Sequence, residues 1–395
     1  MTDTAVVAVL LATVAGALAG GAWAAGRRKA GERQRPLFRS SPHYTEGLHC
    51  LATGQLETAI HELGKVLRDH SDAVEVQQVL SHLYREVGKV ERAIEIHRGL
   101  LARPDLTRAE RAYALASLGT DYRKAGFLDR AAQAYAEALD VDPRNLHALA
   151  GQQKLHEEQR QWREAYEIQT RLARMRKSDD ALVLGFLQVE MGREALRAGR
   201  PDAAEEAFRT ALSLDRRVFP AHLALADTFL ERDPRRAAQV LEGAIAAAPE
   251  RAYLAFPALQ KAYAAMGEPS RFAALCERLV SQDPRDFRAR LALARQLRDG
   301  GGAAEALGLL LRALEANPHV RLVHLEVWRT LRALGTLGPE EQRYVATVEE
   351  SAFYVDPHIC TVCRYRADDM LWRCPHCHEW STFVEERGSP AAGTR

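Results

Sequence analysis

AYALASLGTDYRKAGFLDRAAQAYAEALDVDP, residues 112–143, decides how most of this chain folds. With Ala112 as the first position, Gly119, Ala131 and Ala138 fall at positions 8, 20 and 27. Tyr122 and Tyr135 fall at 11 and 24, Gly126 at 15 and Pro143 at 32. The spacing predicts two antiparallel helices with a turn at Gly126. Small residues let the helices approach closely, the tyrosines fill the space between them, and the proline stops the second helix.

The same frame slides along the chain in both directions. Ala59, Ala93, Ala131, Ala165 and Ala204 take the position-20 role at separations of 34, 38, 34 and 39. The longer separations imply insertions of four and five residues, around Pro104–Arg108 and Ser178–Leu182. Pro249, Pro284 and Pro318 repeat the terminating role of Pro143. Eight units result, with Val320–Glu350 as a ninth or a cap. The pattern resembles the tetratricopeptide repeat. An Ala-rich helical bundle is the alternative, and the joint recurrence of period, small residues and terminators weighs against it. A unit of this kind cannot bury its apolar face alone, so stacking into a right-handed superhelical solenoid over residues 43–350 is expected. The fold class is therefore all-α. Such solenoids hold peptides in the groove lined by their first helices, where the frame places Arg85, Arg123, Lys124, Lys154, Arg193 and Arg197. That row of cations would suit an acidic segment or a terminal carboxylate. Taken singly, each is more simply read as an ordinary solvated charge on a helix surface.

Composition agrees with a helical globular chain. Of 395 residues, 47% are hydrophobic, 27% charged and only 7% aromatic, and strand-like runs are scarce. Lys plus Arg number 54 against 53 Asp plus Glu, a net charge of +1 that argues against a nucleic-acid-coating protein. No Walker-type loop, His-Glu-x-x-His pair or nucleophile elbow is present, and Gly300, Gly301 and Gly302 fall at a turn between helices. An enzyme is not expected.

The amino end differs from the rest. From Ala5 to Gly26 no residue is charged, about 33 Å as a helix and long enough to span a bilayer. Asp3 precedes the run, while Arg27, Arg28, Lys29, Arg33 and Arg35 follow it, the reverse of a cleaved signal peptide. Residues 1–26 therefore read as a single-pass membrane anchor, with its amino end outside and the remainder in the cytoplasm. Gly16 and Gly20 have the spacing that lets a second helix approach closely, as in a homodimer, although an Ala/Gly-rich span produces such spacings by chance. Residues 27–42 read as a basic linker.

Six cysteines complete the picture. Cys50 and Cys276 stand alone in helical patterns, where a buried thiol is the default. Cys360, Cys363, Cys374 and Cys377 form C-x2-C-x10-C-x2-C, two knuckles that present four thiolates to one ion. A rubredoxin-like metal domain over residues 354–387 is expected, followed by a flexible tail, 388–395. Tyr365, Trp372, Trp380 and Phe383 would supply its small core. Zinc and iron both accept four thiolates; zinc is favoured because no electron-partner site is evident. His358, His376 and His378 read as surface residues, since four cysteines fill the coordination sphere.

Anchor, basic flank, repeats and terminal knuckles together resemble the lipopolysaccharide assembly protein B (LapB) family over nearly the whole chain. The residues that carry the resemblance are Gly26-Arg27-Arg28, Glu91-Arg92-Ala93-Ile94-Glu95-Ile96-His97 and Trp372-Arg-Cys374-Pro-His-Cys377-His-Glu-Trp380-Ser-Thr382. Two departures stand out. Arg364-Tyr365 follows the second cysteine where the family tends to Gly-Phe, which would loosen the first knuckle, and the span is richer in Ala and Gly. The resemblance implies a non-enzymatic adaptor that promotes degradation of the UDP-acyl-N-acetylglucosamine deacetylase of lipid A synthesis. The protease would be the membrane AAA+ enzyme FtsH, and an inner-membrane lipopolysaccharide sensor protein would oppose the adaptor. A general envelope scaffold or membrane-tethered co-chaperone is the alternative reading, and an iron redox protein a third. The metal domain is expected to pack against the repeats, because a domain so small gains stability from a docking surface.

Overall fold

The computed structural model describes residues 37–351 and 358–385. The expected span 1–26 with Gly16 and Gly20, most of the linker and the tail 388–395 lie outside the described residues. Among the described residues, no helix is long and apolar enough to cross a membrane. The chain divides after Leu172 into two compact units.

The first unit opens with a 3-10 turn, Leu37–Ser40, and continues as four helical hairpins. These are α1 (Pro42–Ala52) with α2 (Leu56–Asp69), α3 (Val74–Glu86) with α4 (Val90–Leu101), α5 (Arg108–Lys124) with α6 (Leu128–Val141), and α7 (Leu146–Glu158) with α8 (Trp162–Arg176). The last turn of α8 passes the division. The second unit carries five more pairs: α9 (Ala181–Arg197) with α10 (Pro201–Leu214), α11 (Phe219–Phe229) with α12 (Pro234–Ala247), and α13 (Phe256–Ala265) with α14 (Ser270–Gln282). Then come α15 (Phe287–Asp299) with α16 (Ala303–Ala316) and α17 (Arg321–Ala333) with α18 (Pro339–Ser351). The Val320–Glu350 region is thus a ninth helix pair.

The repeat logic is visible in the packing. Ala59, Ala93, Ala131, Ala165 and Ala204 are all fully buried. At position 8, a Cβ on Gly119 would lie 2.7 Å from the Tyr135 ring, and one on Gly192 would lie 2.4 Å from Phe208. Both pairs are sixteen residues apart, so one close approach recurs in the two units. Helices α6, α12, α14 and α16 each end two residues before Pro143, Pro249, Pro284 and Pro318. Gly126, with φ 82°, takes the left-handed turn between α5 and α6 that a side chain would strain.

The two expected insertions do not simply lengthen loops. Helices α5 and α9 have 17 residues each, against 13 in α3 and α7. Four added residues are close to one helical turn, so they extend the first helix without rotating its buried face away from its neighbour. Thr107 caps the extended α5 in a capping box with Glu110, which satisfies the amide groups exposed by the earlier start.

Beyond the helices lie three short strands, β1 (His358–Cys360), β2 (Arg366–Ala367) and β3 (Phe383–Glu385), in an antiparallel sheet of order β2-β1-β3. Cys360, Cys374 and Phe383 form its buried centre, with Cys363, Ala367, Met370, Leu371 and Cys377 packed around them.

Candidate metal centre and the faces around it

The two Cys-x-x-Cys turns are built alike. In the first, the Arg364 N–H donates to the Cys360 carbonyl at 2.9 Å, and the Cys360 N–H donates to the Tyr365 carbonyl at 2.8 Å. In the second, His378 donates to the Cys374 carbonyl at 3.0 Å, and Cys374 donates to Glu379 at 2.9 Å. Arg364 and His378 both take left-handed backbone, φ 65° and 58°. The first knuckle is therefore as tightly closed as the second, contrary to the expectation raised by Arg364-Tyr365. The cost falls on Arg364 itself, about 1 kcal/mol for a residue with a Cβ. Arg364→Gly is accordingly expected to raise the urea midpoint at which the module loses metal; a lowered midpoint would contradict the geometry.

All four Sγ atoms lie within 4.8 Å of one another, with Cys363 to Cys374 at 3.5 Å and Cys360 to Cys377 at 3.7 Å. A tetrahedron with metal–sulfur bonds of about 2.3 Å has edges of about 3.8 Å, so the set fits one ion. Burial raises the Cys360 thiol pKa, but the Thr382 hydroxyl, 3.2 Å from Sγ, and the backbone amides of Cys363 and Val362 outweigh it and bring it to about 6. Cys377 moves the other way, raised by burial and by the neighbouring cysteines. One thiolate is thus stabilised by the protein alone, while the full set needs a cation. His358, expected at the surface, is buried instead, with Nδ1 3.3 Å from the Asp368 carbonyl oxygen.

Trp372 and Trp380 do not fill the module. They pack outward onto the second unit's core. Trp380 stacks on Phe186 of α9 at 5.2 Å and 15°, and Trp372 on Phe219 of α11 at 6.2 Å and 17°. Arg251 lies over the Trp372 ring at 5.3 Å and donates to Ser381 Oγ at 3.2 Å. Arg288 of α15 pairs with Glu385. So small a domain has no interior for two indoles, and first helices of the repeats supply the missing half of a core. Tyr365 is also no core residue; it is exposed and stacks on His376. Trp380→Ala is expected to remove about 3 kcal/mol of docking while leaving the metal bound. The check is faster proteolytic separation of module from repeats at unchanged metal content; an unchanged cleavage pattern would contradict it.

The six cations expected along the groove occupy different environments. Arg85 donates to Asp121 at 2.6 Å and is nearly buried. Arg123 pairs with Glu158 at 2.5 Å and Arg193 with Glu190 at 2.6 Å. Lys154 is half-buried, and Lys124 and Arg197 are exposed. In the first unit the position-12 arginines therefore bind acids of the following hairpin and act as inter-repeat ties.

Asp121 organises a buried network that the sequence did not announce. Its carboxylate meets Arg85 and, at 2.5 Å, His97 Nδ1, while His97 Nε2 lies 2.9 Å from Ser81 Oγ. The connectivity is that of a Ser-His-Asp triad. All three side chains are buried, and Ser81 Oγ also donates to the Gln78 carbonyl at 2.8 Å, so no substrate reaches the hydroxyl. Nearby His147 is held neutral, its pKa lowered to about 4 by burial and by the Arg85 charge. Cys50 and Cys276 are buried as expected, and burial raises the Cys276 thiol to about 12.

Comparison with known proteins follows the same division. The rubredoxin metal binding domain family matches residues 358–385, and the tetratricopeptide repeat family matches residues 189–252. Lipopolysaccharide assembly protein B of Escherichia coli strain K12 is 26% identical over 371 residues, covering 93% of this chain and 95% of that protein. The protein of the same name from Haemophilus influenzae is 25% identical over 377 residues, covering 91% and 94%. Among solved structures, the C-terminal part of a repeat-containing protein from Cytophaga hutchinsonii covers 70% of this chain and 95% of its own at 13% identity, with a TM-score of 0.41.

Proposed function

Because the chain is a homologue of lipopolysaccharide assembly protein B over nearly its whole length, we propose that it is a non-enzymatic adaptor acting in lipopolysaccharide assembly. In this reading residues 1–26 anchor it in the inner membrane, with repeats and metal module in the cytoplasm. It presents the lipid A deacetylase to the membrane protease FtsH and so lowers flux into lipid A, and an inner-membrane sensor protein opposes it by binding the adaptor. The single metal ion, zinc in preference to iron, is structural.

One observation carries the proposal: the metal module is seated on first helices of the second unit through Trp372 and Trp380, so that the repeats of that unit and the module form one binding body. An adaptor needs such a body and a tether, and no chemistry of its own. Tethering the client and protease to one chain raises their effective concentration to the millimolar range for a short linker. Cys360 and Cys374 are fully buried while Cys363 and Cys377 are partly exposed, so burial does not separate zinc from iron, and metal analysis of the purified chain decides between them.

The test is reconstitution. Purified FtsH in lipid vesicles should degrade the deacetylase several-fold faster when the metal-loaded full chain is inserted beside it. An unchanged rate would remove the proteolytic reading and leave a scaffold for other clients.

A further inference from the structure

The four thiols of the module are not equally reachable. Cys360 and Cys374, the first of each knuckle, are fully buried, whereas Cys363 and Cys377, the second of each, are partly exposed. Val362, Tyr365, Pro375 and His376 around them are open to solvent. Each partly exposed sulfur has a buried sulfur of the other knuckle close by, Cys363 to Cys374 at 3.5 Å and Cys377 to Cys360 at 3.7 Å. A small oxidant therefore reaches a thiolate whose neighbour is already placed to resolve it. Closing either pair to a disulfide length of about 2.05 Å takes a movement of less than about 2 Å. The remaining cysteines offer no such chemistry. Cys50 and Cys276 are buried inside helices, and burial pushes the Cys276 thiol up to about 12.

We propose that the two cross-knuckle pairs are a site of reversible oxidative modification by peroxide, and that their oxidation unseats the metal module from the repeats of the second unit. The partly exposed thiolate, Cys363 or Cys377, attacks peroxide: an S–O bond forms, the O–O bond breaks and hydroxide leaves. The buried thiolate of the other knuckle then attacks that sulfur: the S–S bond forms, the S–O bond breaks and a second hydroxide leaves. The thiolates lose two electrons, the peroxide gains them, and two solvent protons complete two waters. A disulfide removes half of the donor set, and a structural site needs all four ligands. The fold carries the effect onward. Two of the three side chains at the module's centre are ligands, so the centre does not outlast the ion. Trp372 and Trp380 then leave Phe219 and Phe186, each 1% exposed while covered, and an apolar face opens on α9 and α11. In a reducing compartment such a bond is transient, as a sensor requires. The proposal stands on the thiolate geometry and the seat of the module, and does not depend on the adaptor reading.

The test uses zinc-loaded full chain purified in detergent and exposed to hydrogen peroxide. Zinc is followed with a chromogenic chelator, thiols are counted, and disulfides are mapped by peptide mass spectrometry. Loss of about one zinc ion for every two thiols consumed is expected, with Cys363 joined to Cys374 or Cys360 to Cys377. Indole fluorescence should shift to the red in step, and dithiothreitol with added zinc should restore both signals. Cys50→Ala/Cys276→Ala should respond as the wild-type chain does. Zinc retained at a peroxide dose that oxidises the same chain unfolded in guanidinium would overturn the proposal. So would a disulfide confined to one knuckle, zinc loss through sulfinic acid that dithiothreitol cannot reverse, or a response abolished in Cys50→Ala/Cys276→Ala.

Discussion

Cys374→Ser is expected to release the metal from the purified chain and unfold residues 358–385. Cys374 is fully buried between the two knuckles, and its Sγ lies 3.5 Å from that of Cys363. The three-stranded sheet contributes two- and three-residue strands and a centre of three buried side chains, two of them ligands. Without the ion, that centre retains little beyond Phe383. Structural metal sites supply about 10–16 kcal/mol of apparent binding energy at neutral pH, and here the folding of the module draws on it. Unfolding would also withdraw Trp372 and Trp380 from Phe186 and Phe219, so indole fluorescence should shift to the red as metal stoichiometry falls. Retention of one metal per chain would contradict the four-thiolate site.

The second large effect is expected far from the metal. Asp121→Ala should destabilise the first unit by about 3–5 kcal/mol, because it strands the Arg85 guanidinium and the His97 ring without the carboxylate that binds both. Replacing the whole set with apolar residues of similar volume, Arg85→Met with Asp121→Leu and His97→Phe, should recover much of the loss. Urea melts followed by helical circular dichroism distinguish the two. If Asp121→Ala costs less than about 1 kcal/mol, the network is incidental to the hairpin stack.

Much of this architecture was legible in the sequence, for a physical reason. Tetratricopeptide-like packing constrains single positions, so five alanines and four prolines sufficed to mark the repeats. Metal ligation constrains residue type and spacing together, so the four cysteines could be picked out without a structure. What was not legible depends on partners distant in sequence. Trp372 and Trp380 read as core of their own small domain because nothing local says that Phe186 and Phe219, more than 150 residues earlier, will face them. Arg85 and Arg123 read as groove cations because the acids that hold them, Asp121 and Glu158, come from the next hairpin. The inserted residues before α5 and α9 read as additions between units, yet one helical turn is an insertion that a hairpin absorbs with its face unchanged.

The adaptor account is tested most directly by the lifetime of the lipid A deacetylase in cells depleted of this chain. Depletion should lengthen the deacetylase half-life several-fold, the change should vanish when FtsH is inactivated, and re-expression of the wild-type chain but not of Cys374→Ser should restore rapid turnover. A half-life unaffected by depletion would contradict the account, leaving a metal-capped repeat protein that serves other clients.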